Sequence, residues 1–175
     1  MTNMKRLILL RHAAANGAEN GLNDRDRALT DIGYAEAGQQ AKWLTAHSLI
    51  PQYALVSAAL RARQTWGVMR ERLLSPPHEY QDALYLAEPG TLLEHVGSLP
   101  EQIETAILVA HNPGIEVLSR MLAGDAPNVD AMRDMARGYP TAGIAHFDIE
   151  TETWEQIAIS GVRLSGFARP YNEDD

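Results

Sequence analysis

Three short apolar runs of the sequence each lead into side chains that could bind or attack an anion. These side chains are Arg11 and His12 after LILL, Ser57 and Arg61 after YALV, and His111 after ILVA. An arginine guanidinium matches the oxygens of a phosphoryl group with two parallel hydrogen bonds. A neutral imidazole is a nucleophile near neutral pH, and its attack on phosphorus gives a covalent phosphoenzyme that water can hydrolyse. These residue types therefore point to phosphoryl transfer.

The strands that carry these side chains belong to a pattern in which short apolar runs alternate with helical segments. Such alternation is typical of an α/β domain. The last two predicted strands are joined by a polar turn, so we expect a mixed, mostly parallel sheet within three αβα layers. The predicted strands are Leu7–Leu10, Tyr53–Val56, Ala83–Leu86, Thr105–Ala110, Gly143–Ile149 and Trp154–Ile159.

Capping residues and prolines predict where the helices begin and end. Thr30 can cap a helix because its hydroxyl can accept a hydrogen bond from a first-turn amide. Asn112 followed by Pro113 is the favoured order for a helix start. The segment Gly124–Pro140 is irregular and is predicted to be a partly helical flap. The predicted helices run from Thr30 to about His47, from after Val56 to about Leu74 ahead of Pro76, from Thr91 to Gly97, and from Asn112 through Leu122.

The carboxyl ends of three predicted strands are expected to meet at one edge of the sheet. Ligands of open α/β sheets bind beyond this edge, where loops and helix N-termini lie. The free amide groups and the positive dipole end of a helix N-terminus favour an anion. We therefore expect two arginines, two histidines and a serine to converge on a phosphoryl group.

The bulk composition excludes several classes of protein. A length of 175 residues favours one domain spanning 1–175. The formal net charge of −8, without a basic patch, argues against a nucleic-acid partner. No apolar run approaches the ~20 residues of a membrane span, and the absence of cysteine fits a cytoplasmic location. No H-x-H or H-E-x-x-H pattern is present, so neither a metal site nor a cofactor is expected.

Four motifs in this order resemble those of the histidine phosphatase (phosphoglycerate mutase-like) superfamily, and most closely its small SixA-type branch. They are RHA at Arg11–Ala13, R-x-L-T-x-x-G at Arg27–Gly33, S-x-x-x-R-A-x-Q-T at Ser57–Thr65, and A-H-N-P-G at Ala110–Gly114. The resemblance implies a phosphoglycerate mutase-like fold and a phosphatase that works without a metal. One departure is Ala13, where the superfamily most often has glycine. A methyl group there narrows the approach to the phosphate slightly.

The resemblance also implies a role for each of the candidate residues. It implies that His12 is the phosphorylated nucleophile and that Arg11 and Arg61 bind phosphate. His111 is implied as the second histidine, donating to phosphoryl oxygens, and Ser57 as a supporting residue. Arg63 falls on a different face of its helix from Arg61 and is expected at the surface.

The proton donor is left open between three carboxyl groups. The family often uses a glutamate after the third strand, and Glu88 in LYLAEPG occupies a plausible loop. Glu19 and Asp24, in the loop after the nucleophile, are alternatives. If the substrate is phosphohistidine, the leaving imidazole has a conjugate-acid pKa of ~6.5 and needs little help, whereas an alkoxide needs an acid much more.

Three hypotheses for the function follow. The first is a phosphatase that removes phosphate from phosphohistidine on a partner protein domain, because the long insertions that enclose small substrates are absent and the site should be open. The second keeps the chemistry but takes a small phosphomonoester, such as a sugar phosphate or nucleotide. The third is a domain that only binds phosphorylated ligands, which would need the arginines but not His12.

Overall fold

The centre of the computed structural model is one mixed sheet. The structure describes residues 3–19, 21–124, 128–157 and 161–170. Within these ranges the strands are β1 (Met4–Arg11), β2 (Tyr53–Ser57), β3 (His78–Gln81), β4 (Thr105–Ala110), β5 (Ile144–Glu150) and β6 (Gly161–Ala168). Their spatial order is β3-β2-β4-β1-β5-β6. The strands β3, β2, β4 and β1 are mutually parallel, β5 pairs antiparallel to β1, and β6 pairs antiparallel to β5. The predicted mostly parallel mixed sheet is confirmed.

Helices cover both faces of this sheet. They are α1 (Asp31–Ala46), α2 (Leu60–Met69), α3 (Pro89–Gly97), α4 (Gly114–Ala123) and α5 (Val129–Ala136). Residues of α1 and α2 share one buried apolar cluster, and residues of α3, α4 and α5 share the other. This arrangement confirms the three-layer αβα prediction.

The strand β1 lies near the middle of the sheet, between β4 and β5. Successive side chains of a strand point to opposite faces. Leu7 and Leu9 accordingly belong to the α3–α5 cluster, and Ile8 and Leu10 to the α1–α2 cluster, with all four fully buried. The central position fixes the backbone at the end of β1, where Arg11 and His12 lie.

Two predicted strands are wrong. The residues expected to form a strand at Ala83–Leu86 lie in a 3₁₀ helix (Asp82–Leu84) and a loop, and the strand is the preceding His78–Gln81. This edge strand is only partly buried, so its sequence HEYQ carries no apolar alternation. Trp154–Gln156 also form a 3₁₀ helix, and the last strand is Gly161–Ala168. Trp154 is buried there with its indole Nε1 donating to the Ile103 carbonyl oxygen at 2.8 Å. Of the predicted strand, residues 158 and 159 lie outside the described residues.

The helix boundaries follow the capping signals in part. Thr30 caps α1 as predicted, accepting a hydrogen bond from the Gly33 amide at 3.1 Å. Asn112 is not the cap of α4, because the helix begins at Gly114 after a cis Asn112–Pro113 bond. The Asn112 side chain donates instead to Glu116 and to the Tyr139 carbonyl oxygen.

Two further segments refine the predictions. The helix α2 ends at Met69 and not near Leu74, which already has a positive φ of 66°. The segment 124–140 contains α5 and is partly helical as expected, with residues 125–127 outside the described residues.

We expect Gly33→Ala to lower the stability of the protein. A Cβ atom at Gly33 would lie 2.0 Å from the Ala14 carbonyl oxygen, in the loop directly after His12. Such a contact forces the backbone to move, at a cost of roughly 1–3 kcal/mol in the free energy of unfolding. The matched control is Gly67→Ala in α2, where nothing lies within 4 Å of the added methyl group. Chemical denaturation should show the control equal to or about 0.5–1 kcal/mol more stable than the wild type. Equal stability of the Gly33→Ala variant would contradict the close approach.

Candidate active site

A cavity of about 440 Å³ opens at the carboxyl edge of the sheet. It is lined by Arg11, His12, Ala15, Asp24, Arg27, Arg61, Tyr85, Leu86, His111, Asn112 and Thr141. Both predicted histidines and both predicted arginines are therefore brought together, as the convergence of strand ends requires. Ser57 lies behind them, fully buried. Glu88 and Glu19 are exposed and are not among the lining residues.

The hydrogen bonds of His12 define which ring nitrogen carries the proton. Nδ1 lies 2.8 Å from the Ala13 carbonyl oxygen, which can only accept, so the proton lies on Nδ1. Nε2 in turn accepts a hydrogen bond from Arg61 Nε at 3.3 Å. The backbone of His12 is fixed by its amide, which donates to the Ala110 carbonyl oxygen at 3.0 Å. Nε2 therefore presents a lone pair beside a guanidinium group.

The surroundings of His12 keep its imidazole uncharged. Burial, followed by the positive charges of Arg61 and Arg11, lowers the pKa of His12 to about 4. The side chain is thus neutral at pH 7, and Nε2 is available as a nucleophile without loss of a proton.

Arg61 is almost fully buried at the start of α2. Besides its contact with His12, its Nη1 donates to the Asp24 carbonyl oxygen at 2.6 Å and its Nη2 to the Asp24 carboxylate at 3.1 Å. Arg63, two residues later, is exposed and packs its guanidinium over the Tyr80 ring at 5.0 Å from the ring centroid. The two arginines of the motif therefore have different environments, as expected from their helical spacing.

Asp24 is the centre of a charged network at the rim of the cavity. Its carboxylate accepts hydrogen bonds from Tyr85 Oη, Arg61 Nη2 and Arg27 Nε. The Tyr85 hydroxyl, and then Arg61 and Arg27, lower the pKa of Asp24 to about 2 against the opposing effect of burial. Asp24 is therefore ionised throughout the neutral range.

Arg11 reaches the cavity from the last residue of β1. Its Nη1 donates to the Tyr139 carbonyl oxygen at 2.8 Å, and the Asn112 side-chain amide donates to the same oxygen at 3.2 Å. Burial lowers the pKa of Arg11, and Glu116 and Glu36 oppose this effect. The guanidinium group is held at one side of the cavity and remains charged.

His111 follows β4. The centroid of its ring lies 5.1 Å from the centroid of the His12 ring. Its Nε2 is 2.7 Å from Ser57 Oγ. Burial, with the neighbouring His12 and Arg61, lowers the pKa of His111 to about 3. The ring is neutral in the free protein and can donate from only one nitrogen.

Hydrogen bonds that link the first three motifs hold the cavity in shape. The Ala13 amide donates to Thr65 Oγ1 at 3.0 Å, and the Leu29 amide donates to Gln64 Oε1 at 2.8 Å. The Thr30 amide donates to the Ala14 carbonyl oxygen at 3.0 Å. Residues from distant parts of the sequence therefore fix the loop that follows His12.

Sequence reasoning missed several residues that line the cavity, above all Tyr85. Its ring lies edge-on to His111 with 5.5 Å between centroids, and its hydroxyl contacts Asp24. Tyr85 is in LYLAEPG, the same loop that drew attention to Glu88, so a polar aromatic residue in a loop over the strand ends was the available signal. Thr141 was also missed, because it follows a segment without any apolar periodicity.

The described residues offer no metal site and no membrane span. No group of three or more His, Asp or Glu side chains within the described ranges is placed to hold a metal ion. In the same ranges, none of the helices has the length and apolar character that crossing a bilayer requires.

Comparisons with known proteins give strong matches over nearly the whole chain. A protein assigned as the phosphohistidine phosphatase SixA of Agrobacterium tumefaciens is 30% identical, with 95% of this chain and 98% of that chain covered and a TM-score of 0.80. The corresponding protein of Nakamurella multipartita has a TM-score of 0.85 at 26% identity, covering 97% and 98%. An uncharacterised protein of Mycobacterium tuberculosis is 31% identical over 162 residues, with 92% of this chain and 99% of that protein covered. No family model matches the chain.

The fold and these matches define a hydrolase of the phosphatase class. Within that class the chain belongs to the histidine phosphatase superfamily, in its small SixA-type branch. The resemblance of its four motifs is thereby confirmed, and the hypothesis of a domain that only binds phosphorylated ligands is set aside.

We expect Tyr85→Phe to raise the pKa of Asp24 from about 2 toward the ordinary 3.8 of an aspartate, because the hydroxyl is the largest cause of the lowered value. Carbon-detected NMR titration of the carboxyl group between pH 1.5 and 6 measures this shift. Tyr80→Phe is the matched control, since Tyr80 contacts Arg63 and not Asp24. An unchanged Asp24 titration in Tyr85→Phe would show that the arginines alone hold the carboxylate.

Proposed function

We propose that the protein removes the phosphoryl group from phosphohistidine on a partner protein, through a phosphorylated His12. The choice of substrate rests on which carboxyl group lines the cavity and on its protonation state. Asp24 is the one carboxylate among the residues that line it, and its pKa is about 2. A group that is ionised at pH 7 has no proton to donate to a leaving group.

A cavity whose lining carboxyl group is already ionised suits a leaving group that departs as a weak base. A phosphohistidine whose second ring nitrogen is protonated releases neutral imidazole, with a conjugate-acid pKa of ~6.5, so it departs without an acid in the cavity. An alkoxide released from an alkyl phosphate is a far stronger base, and general acid catalysis typically contributes ~10²–10⁴-fold to such steps. The exposed position of Glu88, away from the lining residues, favours the first kind of substrate.

The reaction proceeds in two displacements at phosphorus. In the first, the lone pair of His12 Nε2 forms a bond to phosphorus while the nitrogen–phosphorus bond of the substrate breaks. The second ring nitrogen of the phosphohistidine carries a proton, so the electron pair of that bond leaves with a neutral imidazole. In the second, water attacks phosphorus, the Nε2–phosphorus bond breaks, and its electron pair returns to His12. The products are the dephosphorylated protein and inorganic phosphate, which takes up the protons of the water molecule. The proton on Nδ1 stays hydrogen-bonded to the Ala13 carbonyl oxygen throughout.

Arg11, Arg61 and His111 bind the oxygens of the transferring phosphoryl group. Arg11 Nε and His111 Nδ1 are buried nitrogens for which the described residues supply no hydrogen-bond partner. A buried donor without an acceptor is costly, and phosphoryl oxygens would satisfy both. Ser57 supports His111 by holding its other nitrogen, Nε2, at 2.7 Å.

Arg61 has to change partners when the phosphoryl group arrives. In the free protein its Nε donates to His12 Nε2, the same lone pair that forms the bond to phosphorus. Once the lone pair of His12 Nε2 has formed the bond to phosphorus, the Nε–H group of Arg61 is free to donate to a phosphoryl oxygen. Asp24 continues to hold the other end of the guanidinium group, so the arginine changes its acceptor while staying in place.

A panel of substrates tests this proposal. We expect kcat/KM for phosphohistidine to exceed that for an alkyl phosphate, such as a sugar phosphate, by at least ~100-fold, because the alkoxide lacks an acid in the cavity. Glu88→Gln should change kcat/KM for phosphohistidine by less than about threefold. Comparable kcat/KM values for the two substrates, together with a large loss on the sugar phosphate in Glu88→Gln, would instead assign the protein to small phosphomonoesters.

The matched pair Arg61→Met and Arg63→Met tests the phosphate-binding role. Removing one preorganised donor to a transferring group typically costs 10²–10³-fold, so we expect Arg61→Met to lower kcat/KM at least ~100-fold. Arg63→Met should stay within about twofold of the wild type, because its side chain is at the surface. Circular dichroism confirms that both variants are folded, and equal activity of the pair would exclude the proposed role of Arg61.

A further inference from the structure

An exposed apolar band continues from the mouth of the cavity along α4. We define it by Leu86, Pro113, Val117 and Met121. All four side chains are exposed, Met121 most of all among the nonproline members at 62% of its surface. Pro113, Val117 and Met121 are four residues apart and so share one face of the helix. Leu86 is itself one of the residues that line the cavity.

The backbone contact between α4 and the loop of Leu86 makes this band continuous. A Cβ atom at Gly114 would lie 2.1 Å from the carbonyl oxygen of Ala87, so the two segments are in direct contact. At 100° per residue, Val117 and Met121 lie within about 60° of the direction in which Gly114 faces Ala87. The exposed face of α4 is therefore turned toward the loop that carries Leu86.

The band does not result from loose packing of α4. The same helix buries Ile115 and Leu118 completely. The charged residues on its flank, Glu116 and Arg120, pair with each other at 2.8 Å. The side chains of the band that remain exposed are apolar. The charged residues beside them are one acidic and one basic side chain, so neither sign of charge dominates.

The backbone of Leu86 is a second unusual feature at the start of the band. Its φ of 47° lies in the left-handed region that few side chains other than glycine adopt readily. A half-exposed leucine is held in that conformation at the rim of the cavity. It places an apolar side chain where the substrate must enter.

We infer that this band is the docking surface for the protein that carries the phosphohistidine, with apolar side chains of that protein around its modified histidine. This inference rests on the proposed function. A histidine side chain can reach His12 only if the surface around it covers the mouth of the cavity, where the band begins. From Pro113 to Met121 the band spans about 12 Å, close to the width of one α-helix.

The test compares a phosphorylated protein with the free amino acid. The substrates are a folded domain phosphorylated by phosphoramidate on one surface histidine, and free phosphohistidine. We expect the wild type to prefer the domain at least tenfold in kcat/KM. The double variant Val117→Gln, Met121→Gln should lose at least tenfold on the domain and stay within twofold on free phosphohistidine. Leu74→Gln is the control, because Leu74 is exposed beyond the far end of α2, and it should match the wild type on both substrates.

The outcomes separate the docking surface from the proposed function. If the wild type hydrolyses free phosphohistidine but shows no preference for the domain, or if the double variant keeps that preference, the docking surface is overturned and the function stands. An equal loss on both substrates also overturns it, because the substitutions then act on the cavity. A wild-type dimer that the double variant converts to a monomer assigns the band to self-association. If neither form of phosphohistidine is hydrolysed, both proposals fail.

Discussion

The rest of this structure depends on one buried imidazole that is kept neutral among guanidinium groups. The Ala13 carbonyl oxygen holds the proton of His12 on Nδ1, and Arg61 points a donor at Nε2. A positive charge on the ring would be buried next to two arginines, and this cost lowers its pKa to about 4. The same arginines that we propose as ligands of the phosphoryl group therefore also keep the imidazole of His12 uncharged. In this proposal one arrangement of charge serves both binding and attack.

The arginines must in turn be held without being neutralised permanently. Asp24 does this from the rim, through the outer nitrogens of Arg61, while Tyr85 and Arg27 stabilise its charge. A carboxylate near an anion site weakens the binding of phosphate, but it also orients the guanidinium group before substrate arrives. Its low pKa removes it as an acid, and this property matches a leaving group that needs none. The charge network and the chemistry of the substrate are thus consistent with each other.

The sheet supplies the rigidity that this network requires. β1 is hydrogen-bonded on both sides, and the loop after it is held by side chains from α2 and by the start of α1. The close approach at Gly33 leaves that loop no room to move inward. Outside this framework the surface near the cavity is apolar and exposed along α4. Rigidity is concentrated under the reacting atoms, and the contact surface lies beside them.

Much of the site could be predicted from the sequence because its main parts are local. An apolar run followed at once by Arg11 and His12, or by His111, predicts both a strand and the functional side chains at its carboxyl end. Parallel strands then bring those ends together at one edge of the sheet. The identity of the carboxylate at the cavity could not be read this way. Asp24, Glu19 and Glu88 all lie in loops, and loop packing depends on distant partners such as Tyr85 and Arg61. The strands at 78–81 and 161–168 were missed for a related reason, since edge pairing with a neighbour, and not an apolar pattern, makes them strands. The sequence by itself determined the layered fold and placed the proposed nucleophile and its arginines at the strand ends. Only the tertiary structure decided which acidic group faces them, because that choice is made by contacts between residues far apart in the chain.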